Sequence, residues 1–253
     1  MSLLSADDLV KEFGGLRAVD GLSVSVDAGE LVGVIGPNGA GKSTMFNCIS
    51  GVITPDEGAV TYDGTEVTGD PPEELARRGL VRTFQSTREL KTMTVRDNVR
   101  LAAPDQPGER TLSALFRTES MQAAERSVRT RADELLATFE LDHLADEYSG
   151  NLSGGQRKLL ELARTLMLDP EVLMLDEPFA GVNPTLTDEI ADRIRELNEN
   201  GMTVVIIEHE LETLTELVDR LIVLQQGRVL VDGQPEAVLS DDRVIKAYLG
   251  GGV

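Results

Sequence analysis

Leu31-Val32-Gly33-Val34-Ile35-Gly36-Pro37-Asn38-Gly39-Ala40-Gly41-Lys42-Ser43-Thr44 is the stretch from which the rest of the chain is read. Its first five residues are apolar with no polar alternation, the pattern of a strand buried on both faces. The continuation from Gly36 to Thr44 fits the phosphate-loop pattern G-x-x-x-x-G-K-[ST]. Glycines let backbone N–H groups converge on phosphate oxygens without Cβ clashes. A helix starting there adds a positive dipole end, and Lys42 to Ser50 reads as that helix, stopped by Gly51. Gly36, Pro37, Asn38, Gly39, Ala40 and Gly41 then form a cradle. Lys42 can reach the β- and γ-phosphates of a nucleotide, the Ser43 hydroxyl can ligate Mg²⁺, and Thr44 closes the motif.

Val172-Leu173-Met174-Leu175 and Thr203-Val204-Val205-Ile206-Ile207 read as two more buried strands. Glu189 to Asn198, between them, carries helical spacing at Ile190, Ile194 and Leu197. Strands alternating with helices predict an α/β fold with a mostly parallel sheet. Leu221–Gln225 and Arg228–Asp232 read as a hairpin around Gln226-Gly227. The first 30 residues and Gly58 to Asp63 are alternating and turn-rich, so a smaller antiparallel sheet is expected to flank the parallel core. Ala102 to Glu109 reads as a loop through Pro104, Pro107 and Gly108. From Leu112 to Tyr148 the pattern is helical, with Val128, Leu135, Leu136 and Phe139 apolar, as in a helical insertion. The tail Gly250-Gly251-Gly252-Val253 reads as loose.

Two further motifs carry chemistry. The strand ending at Leu175 runs into Asp176-Glu177-Pro178. An aspartate there can hold Mg²⁺, directly or through water, and a glutamate after it can orient and polarise an attacking water. Leu152-Ser153-Gly154-Gly155-Gln156 opens a helical run, Arg157 to Leu168, with Ser153 at the expected N-cap position. Two glycines and free N–H groups at a helix start make a second anion site. The chain therefore pairs two anion-binding helix starts with a single phosphate loop.

The 253 residues carry 44 acidic and 24 basic side chains, a net charge of −20, and only five lysines. A field of this sign repels phosphate backbones, which disfavours nucleic acid as a partner. It fits either an ordinary acidic protein or one adapted to molar salt, where the Debye length falls to about 3 Å and self-repulsion is screened. On the second reading, circular dichroism across a KCl series shows the fold lost as salt is withdrawn, whereas full folding at low salt overturns it. One cysteine, Cys48, excludes a disulfide scaffold or a cysteine zinc site and reads as helix packing. No apolar run approaches the roughly 18–20 residues of a membrane span, and the N-terminus lacks the pattern of a secretory signal. An intracellular chain able to dock on a membrane protein is expected.

The phosphate loop, Leu152-Ser153-Gly154-Gly155-Gln156, Asp176-Glu177 and a later His209 together resemble the ATP-binding-cassette (ABC) ATPases over nearly the whole chain. The resemblance implies a P-loop ABC-type core, a flanking antiparallel β-subdomain and an inserted α-helical subdomain. It places core and β-subdomain at 1–85 and 163–235, the helical subdomain at 86–162 and a tail at 236–253. It implies ATP and Mg²⁺, and head-to-tail pairing with a second cassette, so that ATP lies between one phosphate loop and the partner's signature residues Ser153, Gly154, Gly155 and Gln156. It assigns adenine stacking to Phe13, the sensing of Mg²⁺ and water to Gln85, the general base to Glu177, metal binding to Ser43, Gln85 and Asp176, and contact with the γ-phosphate to His209. The segment Ser86 to Asn98 would meet a transmembrane permease subunit. His143 matches no motif and reads as solvated.

The loop Phe179-Ala180-Gly181-Val182-Asn183-Pro184 departs from the common Ser-Ala-Leu-Asp form, with Asn183 where an aspartate is usual. In this it is similar to the ATP-binding subunits of branched-chain amino acid importers, as are Arg82-Thr83-Phe84-Gln85, Asn151, Ile207-Glu208-His209 and the ending Val244-Ile245-Lys246-Ala247-Tyr248-Leu249-Gly250. The implied protein is a motor on the cytoplasmic face of the membrane, serving permeases and, indirectly, an extracytoplasmic solute-binding protein. Urea or amide importers and lipopolysaccharide exporters share several of these pieces. A soluble iron–sulfur-assembly ABC ATPase is disfavoured by Gln156 and Asn183.

Overall fold

The computed structural model describes residues 2–83, 90–104, 119–209 and 211–249. In chain order the elements are β1 (Ser2–Phe13), β2 (Leu16–Asp27), β3 (Leu31–Ile35), α1 (Lys42–Ile49), β4 (Glu57–Tyr62), β5 (Thr65–Glu66), α2 (Pro72–Arg77), β6 (Leu80–Arg82), α3 (Val95–Leu101) and α4 (Glu119–Thr138). They continue with α5 (Gly154–Leu166), β7 (Val172–Asp176), α6 (Pro184–Glu199), β8 (Thr203–Ile207), α7 (Leu211–Leu217), β9 (Arg220–Gln225), β10 (Arg228–Gly233), α8 (Pro235–Leu239) and α9 (Asp242–Leu249). The chain divides into two units: residues 1–85, 171–180 and 184–253, and residues 86–170 with 181–183.

The first unit holds both sheets. Its larger sheet has the order β10-β9-β3-β8-β7-β6. Neighbours from β9 to β6 are parallel, and only β10 runs antiparallel. Every residue of β3, β7 and β8 is buried, as expected of parallel strands covered on both faces. The smaller sheet, β2-β1-β4-β5, is antiparallel. Leu9, Leu22, Val34, Phe46, Met174 and Leu224 belong to one continuous core. Cys48 sits in it, and burial pushes its thiol up to about 11.

The second unit is helical. Asn98, 1% exposed, is its polar pin: its amide takes a bond from Leu90 N at 2.9 Å and donates to Thr94 O at 3.0 Å and Ser149 Oγ at 3.1 Å. Thr94 caps α3 by accepting from Asp97 N. Arg96 on α3 pairs with Asp133 of α4 at 2.6 Å and with Asp146.

Several boundaries differ from the sequence reading. Helix α6 begins at Pro184 rather than Glu189, because proline's fixed φ and missing N–H suit the first turn. The helical pattern from 112 to 148 becomes α4, two 3-10 turns at Asp142–Leu144 and Ser149–Asn151, and residues 105–118, which lie outside the described set. Glu140, at φ +56°, breaks the run. The division expected at 162/163 falls inside α5, and the helical unit continues to residue 170. The segment 236–253 includes folded helix: Val238, Val244 and Ala247 of α8 and α9 are buried. Among the described residues, no helix is long and apolar enough to cross a membrane.

Candidate functional site

The site forms where β3 ends. Beyond Ile35 the chain turns through Gly36 and enters α1 at Lys42. Two glycines are obligatory here. A Cβ on Gly36 would lie 2.3 Å from the Leu224 carbonyl, and one on Gly41, at φ +101°, would lie 2.4 Å from that of Ala18. The loop is propped from outside by the β9–β10 turn. Gly227 N donates to Ala40 O at 2.9 Å, and Gly227 O accepts from Asp20 N at 3.0 Å. Lys42 folds over the loop, its Nζ donating to Gly36 O at 2.6 Å and to Pro37 O at 3.2 Å. Burial pulls the Lys42 pKa down, while Glu177 and Asp176 push it back up.

A cavity of about 670 Å³ opens over this loop, a volume suited to a nucleotide-sized ligand. Asn38, Gly39, Ala40, Gly41, Ser43 and Thr44 line it beside Lys42; Glu177 and His209 close one side, and Leu16, Arg17 and Gln226 another. Arg17 and Arg228 both hydrogen-bond Asp20 and hold its carboxyl below the usual carboxylate range. Phe13 is absent from the lining. It lies opposite Leu16 in register, 51% exposed, with the Lys11 ammonium 5.7 Å from its ring.

Glu177 follows β7 directly at φ +52°, and its N–H donates to Ile207 O at 2.9 Å. Its Oε1 lies 2.9 Å from His209 Nε2. The two residues that were 32 positions apart in sequence therefore act as one polar pair on the cavity wall. Behind them sits Glu208, 2% exposed, which the sequence reading gave no role. Its carboxylate accepts from Phe179 N at 2.7 Å and from His209 N at 2.9 Å, tying the loop after β7 to the loop after β8. Glu208→Ala strands both N–H groups and is expected to cost about 1–3 kcal/mol for each. Denaturant unfolding checks this, and an unchanged midpoint would show that the carboxylate is not the tie.

Asp176, 3% exposed, ends β7. Arg82 Nη2 donates to its Oδ2 at 2.7 Å, and Thr83 Oγ1 accepts from its N–H at 3.3 Å. Its Oδ1 is buried, with no hydrogen-bond partner among the described residues. Arg82, quoted in the sequence reading only as part of Arg82-Thr83-Phe84-Gln85, is the second residue given no role there, although a charge ending the apolar Leu80-Val81 was a signal. Gln85 and Phe84 lie outside the described residues, as do Ser86 to Glu89 of the expected permease-facing segment and Gly250 of the tail. His143 is exposed.

In the helical unit, Ser153 caps α5. Its Oγ accepts from Gln156 N at 3.2 Å, and Gln156 Oε1 accepts from Ser153 N at 2.9 Å. This reciprocal box fixes the entry of the helix, and leaves Ser153 and Gly154 exposed with Gly155 half-buried.

The ABC transporter family model matches residues 19–180, and the model for branched-chain amino acid ATP-binding cassette transporters matches residues 228–253. The chain is 41% identical to a probable branched-chain amino acid transport ATP-binding protein LivG of Methanocaldococcus jannaschii, over 99% of this chain and 98% of the relative. It is 41% identical to the high-affinity branched-chain amino acid transport ATP-binding protein BraF of Pseudomonas aeruginosa, over 98% of each. Among solved structures, an ATP-binding cassette of an ABC transporter in its ADP conformation matches with a TM-score of 0.86 at 40% identity, covering 99% of both chains. A nucleotide-free cassette matches with a TM-score of 0.85 at 40% identity, covering 98% of this chain and 99% of that one. With the phosphate loop, the Asp176-Glu177 strand end and the capped signature helix on one chain, these likenesses place it in the ABC transporter family, as an ATP-hydrolysing transporter subunit.

Proposed function

We propose that the chain is the ATP-driven motor of an importer for branched-chain amino acids, bound to permease subunits at the cytoplasmic face of the membrane. What carries this reading is the likeness to LivG and BraF proteins, which runs nearly end to end and extends to the C-terminal match. The motor works by population shift: ATP binds the closed pair of cassettes more tightly than the open one, and hydrolysis reverses the bias.

The residues present suit the roles this requires. The loop from Gly36 to Thr44 receives the phosphates, with Lys42 supplying fixed positive charge. Leu16 lines the cavity, and Phe13, opposite it in register and outside the lining, is the residue assigned to stack on adenine. Glu177 accepts the proton of the attacking water, and His209, at 2.9 Å, orients that carboxylate and reaches the γ-phosphate. Ser153, Gly154, Gly155 and Gln156 serve the partner cassette's nucleotide. Among the described residues no cluster of three or more acidic, histidine or cysteine side chains would hold a metal by itself. Mg²⁺ would enter with the nucleotide, as is usual for this ion. Asp176 Oδ1, buried and without a hydrogen-bond partner among the described residues, fits such a cation, and Ser43 and Gln85 are the other residues that would hold it. When bound, Mg²⁺ neutralises charge that builds on the phosphate oxygens.

Transport settles the solute. In native cells whose only copy carries Glu177→Gln, uptake of labelled leucine, isoleucine and valine is expected to fall to background, while urea uptake is unaffected. Normal amino acid uptake with lost urea uptake moves the chain to the amide importers. Co-purification of soluble assembly factors, with no membrane protein, overturns the transporter partners while leaving the ATP site intact.

A further inference from the structure

We propose that Arg82 is a positioning residue for the divalent cation that accompanies ATP. Its guanidinium, anchored on α1, holds Asp176 Oδ2 and leaves Oδ1 as the single carboxylate oxygen available to the metal. This rests on the reading of Asp176 given above.

The geometry is a clamp. Arg82 sits on β6, in register with Met174 of β7, and its side chain is 8% exposed. Nη2 donates to Asp176 Oδ2 at 2.7 Å. Nη1 donates to Asn47 Oδ1 at 2.7 Å and to Ser50 Oγ at 3.0 Å. Ser50 is itself held, its hydroxyl donating to Phe46 O at 2.6 Å. The guanidinium carbon lies 5.4 Å from the centroid of the Phe46 ring. One rigid fork thus ties the aspartate to the helix that carries Lys42 and Ser43 at its start.

A carboxylate's terminal torsion is broad and soft, so Asp176 alone would not present one oxygen in one direction. The arginine fork is planar and pre-organised, whereas lysine is a point charge on a flexible stem. Nor does the ion pair explain itself by stability: buried pairs are often no better than apolar residues of similar volume. Partners behind a metal ligand, by contrast, commonly set its orientation.

Charge and position predict different outcomes for a substitution that keeps the charge, which makes the idea testable. A cation beside Asp176 weakens its pull on a metal, so a role through charge alone leaves Arg82→Lys unchanged in metal affinity. A role through position requires loss. The measurement is Mn²⁺ titration of the full chain saturated with a non-hydrolysable ATP analogue, read as free Mn²⁺ by electron paramagnetic resonance. Arg82→Lys is expected to weaken Mn²⁺ binding about 10- to 100-fold, with binding of a fluorescent ATP analogue in EDTA unchanged. Asn47→Ala, which keeps both charges and removes the anchor, shifts it in the same direction by less, and decides the question should Arg82→Lys not fold. Wild-type or tighter Mn²⁺ binding in these variants, even with a lowered Tm, reduces Arg82 to a structural ion pair and overturns the proposal. Asp176→Asn separates the premise from the proposal: if it too binds Mn²⁺ normally, the metal role of Asp176 falls first.

Discussion

Glu177→Gln is expected to slow ATP turnover by about 10²- to 10⁴-fold, the usual contribution of a positioned general base. The nucleotide still binds. The substitution is nearly isosteric, and the backbone that sets the side chain does not change: Glu177 N–H still donates to Ile207 O, and φ stays near +52°. The amide oxygen can still meet His209 Nε2, now 2.9 Å from Oε1. What is lost is the ability to take a proton from water. ATP therefore persists, and so does any state that ATP stabilises. A sizing column run with ATP and Mg²⁺ should show a stable pair of cassettes for Glu177→Gln and a transient one for the wild type. If turnover is normal, Glu177 is not the base, and the search moves to His209 or to a water held elsewhere. Removing His209 instead should leave a smaller defect, because on the proposed reading its part is to orient the carboxylate and contact phosphate.

Much of this site was legible in the sequence because its parts are local. Continuous apolar runs gave β3, β7 and β8, since strands buried on both faces need no alternation. Gly36 and Gly41 announced a loop whose Cβ positions are filled by the backbone of Leu224 and Ala18. Ser153 and Gln156 sit three residues apart, the spacing at which they cap each other. The parts that escaped are long-range. Arg82 and Asp176 are 94 residues apart and meet only because β6 and β7 are neighbours in the sheet. Glu208 had no role in the sequence reading, because the N–H it ties, that of Phe179, is 29 residues away. The short elements β5 and α2 were invisible because two- to six-residue runs carry too little periodicity to count. Phe13 is the instructive middle case. The resemblance gave it a role, while the fold leaves it half-exposed across from Leu16, which does line the cavity.

Lys42→Ala carries the other large expected effect: loss of hydrolysis by about 10²- to 10³-fold, the scale for removing one donor aimed at transition-state charge. Unlike Glu177→Gln, it weakens nucleotide binding as well, because a charged hydrogen bond contributes about 1.5–3 kcal/mol. Two features of this chain sharpen the expectation. The lysine's ammonium is already committed to the Gly36 and Pro37 carbonyls at 2.6 and 3.2 Å, so its removal loosens the cradle as well as the charge. The net charge of −20 also sets a long-range field that repels ATP. Contacts inside the cavity are screened by salt less than interactions across solvent. Raising KCl should therefore tighten ATP binding in the wild type, the reverse of the usual behaviour of a phosphate site. In Lys42→Ala the local attraction that opposes the repulsive field is weakened, so the same rise in salt should produce a steeper gain from a weaker start. Calorimetric titration of both proteins at low and molar KCl reads both effects. Wild-type affinity in Lys42→Ala would refute the phosphate role of the loop itself, and a binding constant that falls with salt would show that the local cation, rather than the acidic surface, governs the approach of ATP.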